Sequence, residues 1–234
     1  MGIFLAMALR NLLRNLSRSL IMIGGISIGL FGLLVYYGIS NGFLNEMVDV
    51  AIELELSHIQ ITQQGYHKNP VQSRSFSPDS SLLLHLEQTE GVEAMAGRMK
   101  AAVLVNSAEK SNLVDLVGIN PQREPGVTSV SSWIEEGEYL QPGDESKVVI
   151  GRKLADHLRV GLGDKLVVMT QDRHNDLQSR MFRVGGIFKC NSPMFEKSAA
   201  FVNIGTLQEL LGRPGEYNAI LVKSTDNKIG RAHV

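Results

Sequence analysis

The sequence predicts an α+β protein. An N-terminal amphipathic helix leads into one transmembrane helix that continues as a stalk, and a two-lobed α+β extracytoplasmic domain follows. Three observations predict this. After Arg18 no charged residue occurs until Glu46. Beyond that gap apolar residues recur at helical spacing through Leu54, and from His58 onward short strand-like and helix-like runs alternate loosely.

Residues 1–18 form the first segment. Arg10, Arg14 and Arg18 recur at i, i+4 and i+8 on one face, with Leu9, Leu12, Leu13 and Leu16 largely on another. Such a helix lies in the membrane interface on the cytoplasmic side with its arginines at the headgroups, and a bend near Ser17–Ser19 turns it into the span. Residues 19–41 are the span. The twenty positions Leu20–Ile39 are almost wholly apolar or small. At about 1.5 Å per residue they cover roughly 30 Å, the thickness of a bilayer's hydrocarbon core.

The basic residues near the span all precede it, and the next is Lys68. The Lys/Arg bias therefore keeps the N-terminus cytoplasmic and sends the bulk of the chain outside. A cleaved secretory signal also starts basic and apolar. Its apolar region is shorter, about 7–15 residues, and ends at a small-residue cleavage site that is missing after Tyr36.

Residues 42–57 read as a helical stalk. Phe43, Met47, Val50 and Leu54 are spaced 4, 3 and 4 apart, opposite Glu46, Asp49 and Glu53. The domain occupies residues 58–228. Strands are expected at His58–Thr62, Met99–Val105, Leu113–Val117, Lys147–Ile150, Lys165–Thr170, Met181–Phe188 and Tyr217–Val222. Helices are expected at Ser81–Glu87, Arg152–Leu158 and Thr206–Leu211, with Asp79 or Ser80 capping the first. Gly65–Pro70 is a turn.

Residues 229–234 look foreign. Ile-Gly-Arg-Ala-His-Val is what ATC GGA AGA GCA CAC GTC encodes, a string resembling a DNA-sequencing adapter. The tail is read as non-native and the chain as an incomplete gene product.

At 44% hydrophobic and 20% charged, the exterior should bury a sizeable core. All 24 acidic residues lie at or beyond Glu46, against 20 of the 23 basic ones, so it is mildly acidic and unsuited to nucleic acid. One cysteine, Cys190, excludes an internal disulfide framework.

Motifs of chemistry are weak. Gly25-Ile-Ser-Ile-Gly29 matches a nucleophile elbow, but Ser27 lies inside the span and not at a strand-to-helix turn. Gly25, Gly29 and Gly32 instead make a small-residue face on which a second helix could pack. Gly161–Lys165 lacks the spacing of a phosphate loop and reads as a turn into a strand. Asp172-Arg-His-Asn-Asp176 offers oxygen and nitrogen donors but sits between two strands, as a hairpin loop does. His58, His67, His85 and His157 fit no metal-ligand spacing. No catalytic, cofactor or metal site is expected, and enzyme activity is not.

Two stretches resemble a known family. The opening, Leu5–Gly29, is similar to the start of ABC-transporter permeases of the FtsX/MacB/LolE type. So is Glu135–Met169, with Gly137–Leu140 as a G-x-(Y/F)-L phrase, then Val148–Gly151, Leu154–Ala155 and Val160–Asp164. Leu116–Pro121 and Phe182–Phe188 fall where that family has strands. The resemblance implies a MacB-like periplasmic core domain between the first two of four spans. It implies a dimer with a second permease subunit and a cytoplasmic ABC ATPase on a separate chain or domain. The role implied is transmission of ATP-driven motion to the outside, for lipoprotein release or export, with a lipoprotein or periplasmic adaptor as further partner. Gly118–Pro121 and Gly126–Leu140 resemble the lipoprotein-releasing branch somewhat more. A single-span receptor or sensor and an anchored hydrolase are the alternatives left open.

Overall fold

The computed structural model describes Met7, Arg10, Arg14 and residues 16–51, 59–63 and 75–224. Leu54, His58, the turn at residues 65–70 and the tail at residues 229–234 lie outside the described residues. The chain divides into two compact units, residues 1–49 and 50–234.

The first unit is dominated by one helix, α1 (Leu16–Ala51). Its thirty-six residues make about 54 Å of rise. Ser17–Ser19 lie within this continuous helix, with neither Pro nor Gly nearby to break it. From Leu20 to Tyr37 the large apolar side chains are exposed all round the helix. A helix on the surface of a globular domain would be apolar on one stripe only. Leu16–Gly42 is long and apolar enough to cross a membrane.

The second unit contains nine strands and four further helices among the described residues. In order these are β1 (Ile59–Thr62), α2 (Ser80–Gln88), β2 (Val92–Asn106), β3 (Ser111–Ile119), β4 (Ile134–Gly137), β5 (Lys147–Gly151), α3 (Arg152–Leu158), β6 (Lys165–Gln171), β7 (Leu177–Phe188), α4 (Pro193–Ser198), β8 (Ala199–Asn203), α5 (Ile204–Leu210) and β9 (Ala219–Ser224). Two 3-10 turns, Glu124–Gly126 and Val130–Trp133, lie between β3 and β4.

Six strands close on themselves in the order β2-β3-β8-β5-β7-β6, and β6 returns to β2 through Leu104–Met169, Val105–Val168 and Asn106–Val167. The result is a small barrel, and alternation along its strands fills it. Met99, Ala101, Val103 and Val105 of β2, Val114 and Leu116 of β3, Leu166 and Val168 of β6 and Phe182 and Val184 of β7 are all buried in one cluster. Leu154, Ala155 and Leu158 of α3 and Leu207 and Leu210 of α5 join it. A second cluster lies on the barrel's outer side, where Val117, Ile119, Val149 and Phe201 pack under the β3–β4 connection.

The second lobe is a three-stranded sheet, β1-β9-β2, antiparallel throughout. The helix α2 covers one face, with Leu83 and Leu86 against Met95, Ile220 and Val222. Val127 covers the other, against Ala96 and Leu221. The strand β2 belongs to both lobes: its first half pairs with β9, its second with β3 and β6.

Several elements depart from local pattern. The strand β2 begins seven residues before the expected Met99, because Gly97 and Arg98 interrupt the apolar alternation without interrupting the backbone pairing. The strand β7 starts at Leu177, since the polar arm of its hairpin pairs with β6. Expected helix Thr206–Leu211 starts earlier, at Ile204, where the Asn203 side chain accepts from the Gly205 N–H at 3.1 Å. Tyr217 precedes β9 and bridges to Phe76. The elements β4, α4 and β8 carry no clear period of their own. Ala199–Asn203 is a short, continuous apolar run of a kind that periodicity cannot assign.

Candidate functional site

The predicted functional residues begin on α1. Arg10 and Arg14 are helical, and Arg18 is exposed on the first turn of α1. Gly25, Gly29 and Gly32 face open space, for a Cβ added at any of them would meet nothing within 4 Å. The backbone at Phe43, Met47 and Val50 is helical and continuous with the apolar segment. Ser27 lies mid-helix, where no turn can present its hydroxyl as a nucleophile elbow does.

The polar motifs of the domain serve its turns. At Gly161–Asp164 the Asp164 carboxylate accepts from the Gly161 N–H at 2.8 Å, and Gly163 takes a positive φ of 83°. In the β6–β7 hairpin the Asp172 carboxylate accepts from the N–H groups of His174 (2.8 Å) and Asp176 (3.0 Å) and from Gln178 Nε2 (3.0 Å). Burial pushes this carboxyl up, but those hydrogen bonds outweigh it and hold it below the ordinary range. Its lone pairs are engaged in closing the loop.

A cavity of about 430 Å³ beside Arg159, Lys165 and Arg183 is charged. Arg159 already pairs with Glu109 at 2.8 Å, and Arg183 donates to the Gly163 carbonyl at 2.6 Å. Cys190 is half-buried, and burial raises its thiol. Its Sγ lies 3.6 Å from the Ser192 carbonyl. Among the described residues no three His, Cys, Asp or Glu side chains are grouped to hold a metal ion.

Sequence reasoning missed one polar cluster entirely. Arg98 on β2, at 7% exposure, meets Glu124 at 0%. Glu124 Oε1 accepts from Arg98 Nε at 2.9 Å, from Arg98 Nη2, and from the Thr128 hydroxyl at 2.9 Å. Glu124 Oε2 and the Tyr139 hydroxyl are buried with no hydrogen-bond partner among the described residues. Burial pushes the Tyr139 phenol up; the Glu124 charge adds to this and Arg98 opposes it. The available signal was Arg98 in the run Ala94–Val105, which is apolar or small apart from Arg98 and Lys100.

A helix apolar on every side and a two-lobed α+β domain define a membrane-anchored protein. The chain belongs to the family of MacB-like periplasmic core domains, whose model matches residues 19–229. It is 25% identical over 178 residues to the lipoprotein-releasing system transmembrane protein LolC of Buchnera aphidicola subsp. Schizaphis graminum, covering 74% of this chain and 42% of that protein. It is 23% identical over 154 residues to the lipoprotein-releasing system transmembrane protein LolE of Haemophilus influenzae, covering 66% and 36%. The chain thus spans less than half the length of these relatives.

Among solved structures, the extracellular domain of the noncanonic ABC-type transporter YknZ from Gram-positive bacteria is similar at 17% identity and a TM-score of 0.49, covering 72% of this chain and 83% of that one. The periplasmic region of MacB from Actinobacillus actinomycetemcomitans is similar at 15% identity and the same TM-score, covering 72% and 74%.

Proposed function

We propose that the chain is part of a permease subunit of an ABC transporter, with its N-terminus cytoplasmic and its α+β domain outside. A cytoplasmic ATPase on another chain or domain supplies ATP-driven motion. A second permease subunit packs beside this one, and Gly25, Gly29 and Gly32 let the two span backbones approach. The cargo is a lipoprotein or another exported substrate; the names of the two curated relatives favour lipoprotein release.

The observation that carries the reading is the length of α1. About 54 Å of unbroken helix exceeds the roughly 30 Å hydrocarbon core by several turns. The excess follows Tyr36 and Tyr37, aromatic residues of the kind that settle at a membrane interface. A continuous helix passes displacement along its axis without carrying substrate. The stripe Phe43, Met47, Val50 and Leu54 then packs on a neighbouring helix, and it offers apolar surface to acyl chains.

Met47→Asp or Val50→Asp in the full-length transporter tests this. Cargo release from proteoliposomes is expected to fail while the ATPase still copurifies. Transport at wild-type rate in both variants overturns the reading.

A further inference from the structure

The strand β2 changes partners between two consecutive residues. Arg98 makes its last pair with β9, opposite Ala219, and Met99 its first with β3, opposite Gly118. Asn218 reinforces the handover through both backbone and side chain: its N–H donates to the Arg98 carbonyl at 2.9 Å, and its Oδ1 accepts from the Lys100 N–H at 2.7 Å. A single strand crossing between two sheets still leaves them free to twist about it. Something else must fix the angle.

Three segments meet beneath this crossing. Arg98 comes from β2 itself. Glu124 and Thr128 come from the turn after β3, whose Val127 packs under the three-stranded sheet. Tyr139 comes from the tail of β4, tied to the barrel where the Glu138 N–H donates to the Gly185 carbonyl at 3.0 Å, and its ring packs on the outer barrel cluster. Three donors converge on Glu124 Oε1, leaving Oε2 as a buried acceptor and the Tyr139 hydroxyl as a buried donor. A buried donor and acceptor without partners cost about 1–3 kcal/mol each.

We propose that Arg98, Glu124 and Tyr139 form a fixed joint that holds the three-stranded sheet and the barrel at one angle, with one water bridging the Tyr139 hydroxyl to Glu124 Oε2. A buried ion pair is a poor source of net stability, since an apolar pair of similar volume does as well or better. What it adds is direction. Its hydrogen bonds hold one geometry, whereas apolar surfaces slide. The use of such a joint rests on the permease reading: β1 of the small sheet follows α1 in the chain, and a rigid joint passes any motion of that sheet to the barrel. The joint itself does not rest on that reading.

The test uses the full chain in lipid nanodiscs, with Cys190→Ser and spin labels at Glu90→Cys on the small lobe and Ser179→Cys on the barrel, both exposed positions. Electron–electron double resonance reads the distance distribution between them. The wild-type distribution should be narrow. The double variant Arg98→Met/Glu124→Leu should keep Tm within about 5 °C while the width at least doubles. Tyr139→Phe should broaden it less, and it decides the matter if the double variant fails to fold. An unchanged width in the variants that fold overturns the proposal, whatever their Tm. Transport is not measured, so a failed joint leaves the permease reading standing, and a failed permease reading leaves these distances as evidence for the joint.

Discussion

Replacing Gly151 with alanine should unfold the domain more than any surface change could. Gly151 ends β5 and caps α3 with φ −71° and ψ 151°, a conformation open to any residue. On backbone grounds alone alanine would stabilise by about 0.4–1 kcal/mol, by restricting the unfolded chain. The collision reverses the sign. A Cβ at this position would sit 2.1 Å from the Glu196 carbonyl oxygen, 2.5 Å from its Cα and 2.6 Å from its carbonyl carbon. These are backbone atoms and cannot rotate away. An ordinary contact needs about 3.5 Å, so α4 must retreat by about 1–1.5 Å.

Forced shifts of that kind cost about 1–3 kcal/mol. Retreat also pulls Glu196 Oε1 from the Cys190 N–H, now 3.0 Å away, a bond to a buried carboxylate worth about 1.5–3 kcal/mol. Less the entropic gain, the net cost is about 2–5 kcal/mol. For a domain of this size that lowers Tm by about 4–20 °C. Thermal circular dichroism of the detergent-solubilised chain measures it, with Gly205→Ala as control, where the nearest atom to the new Cβ is Asn203 Oδ1 at 3.7 Å. Cys190 should also react faster with a thiol reagent in Gly151→Ala, because its cover has moved. Melting within about 2 °C of wild type would refute the packing argument.

Phe182→Ala empties a fully buried ring from the barrel interior and should cost about 3–5 kcal/mol by denaturant titration. Glu216 gives a pH signature. Donation from the Ser75 hydroxyl, helped by Arg213 at 3.0 Å, holds its carboxyl below the ordinary value near 4.5, against burial that raises it. A depressed folded value means the stabilisation is present above the ordinary range and is lost as pH falls through the folded value. Glu216→Gln should therefore melt below wild type at pH 7 and converge with it only once pH falls below the depressed folded value. Exchanging Arg10, Arg14 and Arg18 for Glu should invert or scramble the orientation, read by labelling of a Ser179→Cys, Cys190→Ser chain with an impermeant maleimide in intact cells; labelling unchanged from the parent refutes the charge argument.

The parts of this fold legible in sequence are those where one local rule dominates. The length of the Leu20–Ile39 run leaves α1 few alternatives, and Arg152–Leu158 is the observed α3 to the residue. The family, too, was readable from ordered phrases such as Gly137–Leu140 and Val160–Asp164. Barrel closure was not legible, because the β6–β2 pairing joins residues more than sixty positions apart and no local pattern encodes it. The β8 strand was hidden for a related reason: AAFVN is buried on both sides, with Ala200 and Val202 inward and Ala199 and Phe201 outward, so its alternation vanishes. The partner of Arg98 was not legible, because Glu124 comes from a separate segment and only the folded chain brings the two together.

The antiparallel pairing of β1 with β9 has a geometric consequence. Ile59 lies opposite Val222, so the first strand of the domain enters at the end from which Ser224 leaves. Entrance and exit are separated by about the width of one strand, roughly 5 Å. The described two-lobed body therefore begins and ends side by side, on the neighbouring strands β1 and β9. Loops remote from that edge can lengthen or shorten without changing the spacing of its two ends.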